Sequence, residues 1–234
     1  MCRRPLVAAG ILAVGGMAHL AARSVGPAQG GVGDQATGDG EAEGERIDWE
    51  ALRRVNAEVV AWLRVGGTGI DIPVVQPGAG KSRVFYLDHG FGMEPDPRGT
   101  PYLDIRCTAD GMHRLVFGHH VIGEPSAQFS PVHRAFEQQV FAGITGARWE
   151  TPDGAEILEP LCALRVSETF EPIQRFSFTD DGLRPWIAGI ARQADTRSES
   201  AGEIIDAAGR CLTLATCSSP VSGQDERTLL LFAG

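Results

Sequence analysis

No Cys-x-x-Cys pair occurs in this chain of 234 residues, and its five cysteines (Cys2, Cys107, Cys162, Cys211 and Cys217) are odd in number. The close ligand spacings of a zinc site are therefore missing. No Lys/Arg-rich run follows the N-terminal segment, and the formal net charge is −9. This argues against nucleic-acid binding, because neutralising phosphate takes a basic surface. No internal repeat is evident, and beyond the first 46 residues no segment is long enough to form a second domain.

What is present points to β-structure. Hydrophobic residues make up 43% of the chain, enough for a core, and 30 glycines and 14 prolines punctuate short apolar runs. That pattern reads as a β-rich fold with many loops. Residues 5–22 contain no Lys, Arg, Asp or Glu. As a helix they would rise about 27 Å, close to the ~30 Å hydrocarbon thickness. Arg3 and Arg4 precede the segment, which holds the N-terminus in the cytoplasm and places the rest outside. A cleaved signal peptide, with small residues around His19 as its processing site, is the rival reading, and both export the remainder. Residues 24–46 are rich in Gly and acid and read as a flexible tether. The division is thus 1–23 for anchor or signal, 24–46 for tether and 47–234 for the folded domain.

Within that domain Asp48 is a plausible N-cap, and Leu52, Val55, Val59 and Leu63 fall on one helical face. Gly66 and Gly67 end this helix before a strand over 70–75. Further strands are expected over 100–105, 114–117, 147–151 and 155–166. The last two flank the turn Pro152-Asp153-Gly154, and Pro160 either breaks the second or puts it at an edge. Ser130-Pro131 starts a short helix. Thr179 or Asp180 caps another, along which Leu183, Trp186, Ile187 and Ile190 follow the i, i+3, i+4, i+7 pattern.

Chemistry gathers at strand ends. Leu212-Thr213-Leu214-Ala215-Thr216 is a β-type run closed by Cys217, and a polar loop follows it. Arg227 opens the next apolar run, 228–232. Upstream, Leu115-Val116-Phe117-Gly118 ends in His119 and His120. Strand alternation points these two histidines to opposite sides, so one of them faces the thiol. Each group has a plainer reading: a buried inert cysteine, a hydrogen-bonded surface histidine, a solvated arginine. His89, His113 and His133 read that way, in loops or on helices. Cys107, Cys162 and Cys211 sit in apolar runs as small hydrophobes, with a bridge from Cys107 to either of the others left open. Cys211 and Cys217 are too far apart along one strand to pair. Together, a thiol, an imidazole and a guanidinium at one edge of a barrel are the equipment for thiolate acyl transfer. The imidazole lowers the thiol's pKa and carries a proton, and the arginine faces a developing oxyanion.

Thr213-Leu214-Ala215-Thr216-Cys217 followed by Arg227, with Phe117-Gly118-His119 upstream, resembles the sortases, membrane-anchored cysteine transpeptidases of Gram-positive bacterial surfaces. Ala61-Trp62-Leu63-Arg64-Val65, then Gly69-Ile70-Asp71-Ile72-Pro73-Val74-Val75-Gln76, resembles the opening of class B. So do Gly99-Thr100-Pro101-Tyr102-Leu103-Asp104-Ile105-Arg106 and the helix before the cysteine strand. The resemblance covers the whole of 47–234. It implies a mainly β fold, an eight-stranded barrel with peripheral α-helices. It implies that Cys217 attacks the carbonyl after a threonine in a C-terminal sorting motif of a surface protein or pilin, forming a thioacyl enzyme. His119 would protonate the departing amine and deprotonate the incoming one, from a cell-wall precursor or a pilin lysine, and Arg227 would steady the oxyanion. It implies no metal and no cofactor. It also implies a single-pass membrane location with the catalytic domain outside. Three departures stand out: His120 replaces a frequent Asn, Ala215 a common Ser, and Cys107 a frequent Asn. If position 107 lines the cleft, a second thiol is close by. The alternatives are another thiol acyltransferase or peptidase of the cell wall, or a degenerate tethered domain that only binds peptide. An L,D-transpeptidase would need Ser-x-Gly-Cys, which Leu214-Ala215-Thr216-Cys217 does not supply.

Overall fold

A computed structural model describes residues 46–179, 181–218 and 225–234. The tether and the 5–22 segment lie outside the described residues. Among the described residues, no helix is long and apolar enough to cross a membrane.

The described residues open with α1 (Trp49–Val55), capped by the Asp48 carboxylate on the Ala51 N–H at 2.8 Å. The strands are β1 (Val59–Gly66), β2 (Ile70–Val75), β3 (Tyr102–Leu103), β4 (His113–Phe117), β5 (Gly146–Thr151), β6 (Gly154–Ser167), β7 (Thr196–Arg197), β8 (Cys211–Cys217) and β9 (Glu226–Ala233). Three helices join them: α2 (Gln138–Phe141), α3 (Leu183–Ala191) and α4 (Ala201–Ala207). The sheet order is β5-β1-β2-β3-β4-β8-β9-β6, and β5 pairs with β6 to close an eight-stranded barrel. β7 is added on the flank of β6. The barrel is mixed, since β2–β3 and β4–β8 are parallel and the other pairs antiparallel. The expected mainly β barrel with peripheral helices is what the chain forms.

Several local expectations need correction. The helix ends at Val55, and Val59 and Leu63 belong to β1. Asn56 forces the exit, because it is extended and its side chain is taken up by the Tyr86 hydroxyl (2.9 Å) and the Phe91 carbonyl (2.8 Å). From there Val59, Ala61, Leu63 and Val65 are buried in alternation, a period of two that the helical spacing had masked. The strand over 100–105 shortens to β3. The Asp104 carboxylate accepts the Arg106 N–H (2.9 Å) and its carbonyl accepts the Cys107 N–H (2.9 Å), an Asx-type turn that stops pairing. Pro160 does not break β6, and it lies at a local edge, with a ladder partner on the β9 side alone. It sits at a register shift against β9, in the gap between the last β5 partner, Leu158, and the first β7 partner, Cys162. Gly182 is the N-cap residue of α3, with no side-chain cap bond, its N–H donating to the Thr179 carbonyl; Asp180 lies outside the described residues. The four apolar positions of α3 are buried as expected and join one cluster with β6, β8 and β9.

His113 is not in a loop or helix; it opens β4 and is buried. Nδ1 donates to the Arg175 carbonyl (2.8 Å), so Nε2 accepts from the Thr213 hydroxyl (3.0 Å), a neutral tautomer packed 4.6 Å from the Trp186 ring. Burial pulls its pKa down to about 4. The unfolded chain takes that proton near 6.5, so this group's contribution is fully present above pH ~6.5 and is lost as pH falls toward 4. Thermal unfolding of the wild type should therefore weaken more steeply over that window than that of His113→Gln. Equal slopes would exclude His113 as the responsible group.

Candidate active site

β8 and β9 are antiparallel neighbours with Cys217 directly opposite Arg227. β4 runs parallel to β8 with Phe117 beside Ala215, and the Gly118 N–H donates to the Ala215 carbonyl (3.1 Å), extending the ladder by one residue. The chain is thus still in step with β8 when it delivers His119. Gly118 is required here by space. A Cβ at this position would lie 2.6 Å from the ring of Phe129, which is fully buried and has no room to yield.

Cys217, His119 and Arg227 line one cavity of about 420 Å³. Its floor is the outward face of three strands, with Tyr102, Phe117 and Ala215 side by side and Cys217 two positions beyond Ala215 on the same face. Val84 and Leu87 also line it, and Glu168 and Gln174 contribute from the segment after β6. The structure therefore brings together the three residues singled out in the sequence. His120 does not line the cavity; its ring stacks on His133 at 3.9 Å. His89 likewise stacks on Phe85 at 3.9 Å.

The His119 ring is oriented by a backbone group. Nε2 lies 2.7 Å from the Leu87 carbonyl, which can only accept, so in the neutral ring Nε2 carries the proton and Nδ1 is the basic position. Arg227 donates from Nη1 to the Glu226 carbonyl (2.9 Å) and from Nη2 to Glu168 (2.8 Å). Further along the groove Asp104 receives Arg106 through both carboxylate oxygens (2.8 and 2.6 Å). Burial alone would raise the Asp104 pKa, but the Arg106 bonds outweigh it and hold the group below the usual carboxylate range.

Cys107 is buried, does not line the cavity, and accepts the Leu115 N–H at 3.4 Å. A second thiol at the cleft is thereby excluded for this position. Burial pushes its thiol up to about 11 and that of Cys211 to about 12. Cys107, Cys162 and Cys211 are free thiols, so the bridge left open earlier does not form. Sequence reasoning missed Leu87, whose role is carried by a carbonyl, and Glu168, which stands in no motif. Among the described residues no cluster of three or more His, Cys, Asp or Glu could hold a metal ion.

No family model matches the chain. Among curated proteins it is similar to sortase B of Staphylococcus aureus, 22% identical over 188 residues, which is 80% of this chain and 74% of that protein. Among solved structures it is similar to a Staphylococcus aureus sortase B–substrate complex, with a TM-score of 0.66 and 22% identity over 79% of this chain and 83% of that one. It is also similar to Clostridium perfringens sortase B, with a TM-score of 0.66 and 21% identity over 79% of this chain and 97% of that one.

Proposed function

We propose, from the premise that this chain is a class B sortase, a sortase-type cysteine transpeptidase, that it cleaves a sorting motif after threonine and passes the new end to an amine. The observation that carries this reading is the meeting of Cys217, His119 and Arg227 on one groove, each delivered from the end of a different barrel strand. The thiol gives its proton to the imidazole, for which Nδ1 is the available position, and Sγ attacks the threonine carbonyl carbon. A C–S bond forms, and the Arg227 guanidinium steadies the negative oxygen. His119 then protonates the departing amide nitrogen as the C–N bond breaks, leaving a thioacyl enzyme. The incoming amine loses a proton to His119 and attacks the thioester carbon, the C–S bond breaks, and the departing sulfur takes that proton back from His119.

The acceptor we propose is a cell-wall precursor amine or a pilin lysine, and the donor a surface protein or pilin carrying the sorting signal. We also propose the arrangement 1–23 as anchor or signal, 24–46 as tether and 47–234 as catalytic domain, with that domain outside the membrane. The charge-free run over 5–22 and the Arg3-Arg4 pair support it.

The test uses the full chain with a pool of Asn-Pro-x-Thr-like and Leu-Pro-x-Thr-like peptides plus triglycine. Mass spectrometry should find a peptide joined through its threonine to triglycine. Cleaved peptide without any joined product would replace the transferase reading with a peptidase.

A further inference from the structure

Glu168 is the first residue after β6. Its N–H donates to the Asp225 carbonyl at 2.6 Å, carrying the β6–β9 ladder one step past the Ser167–Glu226 pair. Val166 lies opposite Arg227, and residues two apart on a strand share a face. Glu168 therefore stands diagonally across from Arg227 on the groove side, a separation that long side chains can close. They do close it, with Glu168 Oε2 accepting from Arg227 Nη2 at 2.8 Å. The other terminal nitrogen is tied to the Glu226 carbonyl. The Arg227 side chain is only 15% exposed.

A guanidinium at the end of a four-bond stem has many rotamers, and bonds to two different nitrogens fix its plane. A donor already aimed where charge develops needs no reorganisation during reaction. The carboxylate's charge would by itself oppose a nearby oxyanion, so any benefit it gives comes through geometry. Resting on the reading of Arg227 as the group at the oxyanion, we propose that Glu168 is a positioning residue, holding the Arg227 fork in its working orientation before substrate arrives.

The test measures peptide–triglycine joining by the full chain and its variants across peptide concentrations. Glu168→Ala should lower kcat about tenfold, the scale of a modest misplacement of a reacting group, with KM changed by no more than about twofold. Glu168→Gln keeps an acceptor oxygen and should stay within about threefold of wild type. Combined with Arg227→Ala, Glu168→Ala should cost nothing further, because its effect passes through the arginine. Should the alanine variant fail to fold, Glu168→Asp, one methylene short of Nη2, should show the same loss of kcat. An unchanged kcat in an active wild-type background overturns the proposal, as does a full additional loss in the double variant. A wild type that joins no peptide overturns the underlying reading as well.

Discussion

Alanine at position 217 should abolish transfer of a threonine peptide to triglycine, a fall of at least about 10⁴-fold in turnover, since the proposed thioacyl intermediate is carried on its sulfur. The fold should be unaffected. Cys217 is the terminal residue of β8, only partly buried, and it faces the groove instead of the barrel core. Thermal unfolding of this variant should therefore match the wild type while the thioacyl species disappears from intact-mass spectra. The other described thiols are poor substitutes. Cys107 and Cys211 are held as neutral thiols by burial, with pKa values of about 11 and 12, and neither lines the cavity. Turnover that persists in the alanine variant would remove Cys217 from the mechanism and with it the proposed function.

The second large effect separates two adjacent imidazoles. His119→Ala should reduce kcat by roughly 10²–10⁴-fold, the range for a lost general acid–base. His120→Ala should remain within about tenfold, since its ring stacks on His133 away from the cavity and its loss is a matter of loop packing. Inactivity confined to the His120 variant would move the base by one residue.

How much could be read without coordinates follows a physical division. The two apolar runs that become β8 and β9 are legible because burial on both faces leaves no charged residue between Leu212 and Thr216 or between Thr228 and Phe232. The Pro152-Asp153-Gly154 turn and the amphipathic α3 are legible because turn chemistry and a 3.6 period are local. β1 is hidden in the sequence because Leu52, Val55, Val59 and Leu63 satisfy a helical spacing by coincidence. The decisive event, capture of the Asn56 side chain by Tyr86 and Phe91, involves residues about thirty positions away. The same holds at the site. Cys217 and Arg227 could be named because reactive residue types stand there at the ends of apolar runs, and His119 was preferred to His120 only through the resemblance to the sortases. The Leu87 carbonyl and the Glu168 carboxylate act through placement alone, and placement is a tertiary property.

The parallel contact between β4 and β8 joins segments separated by about a hundred residues of chain. Pairings of such long sequence separation carry a heavy loop-closure cost and tend to form late during folding. Until that seam zips, sulfur and imidazole have no reason to be neighbours. On the proposed function, a nascent or partly unfolded polypeptide would carry an ordinary thiol, and the topology would itself guard against premature acylation.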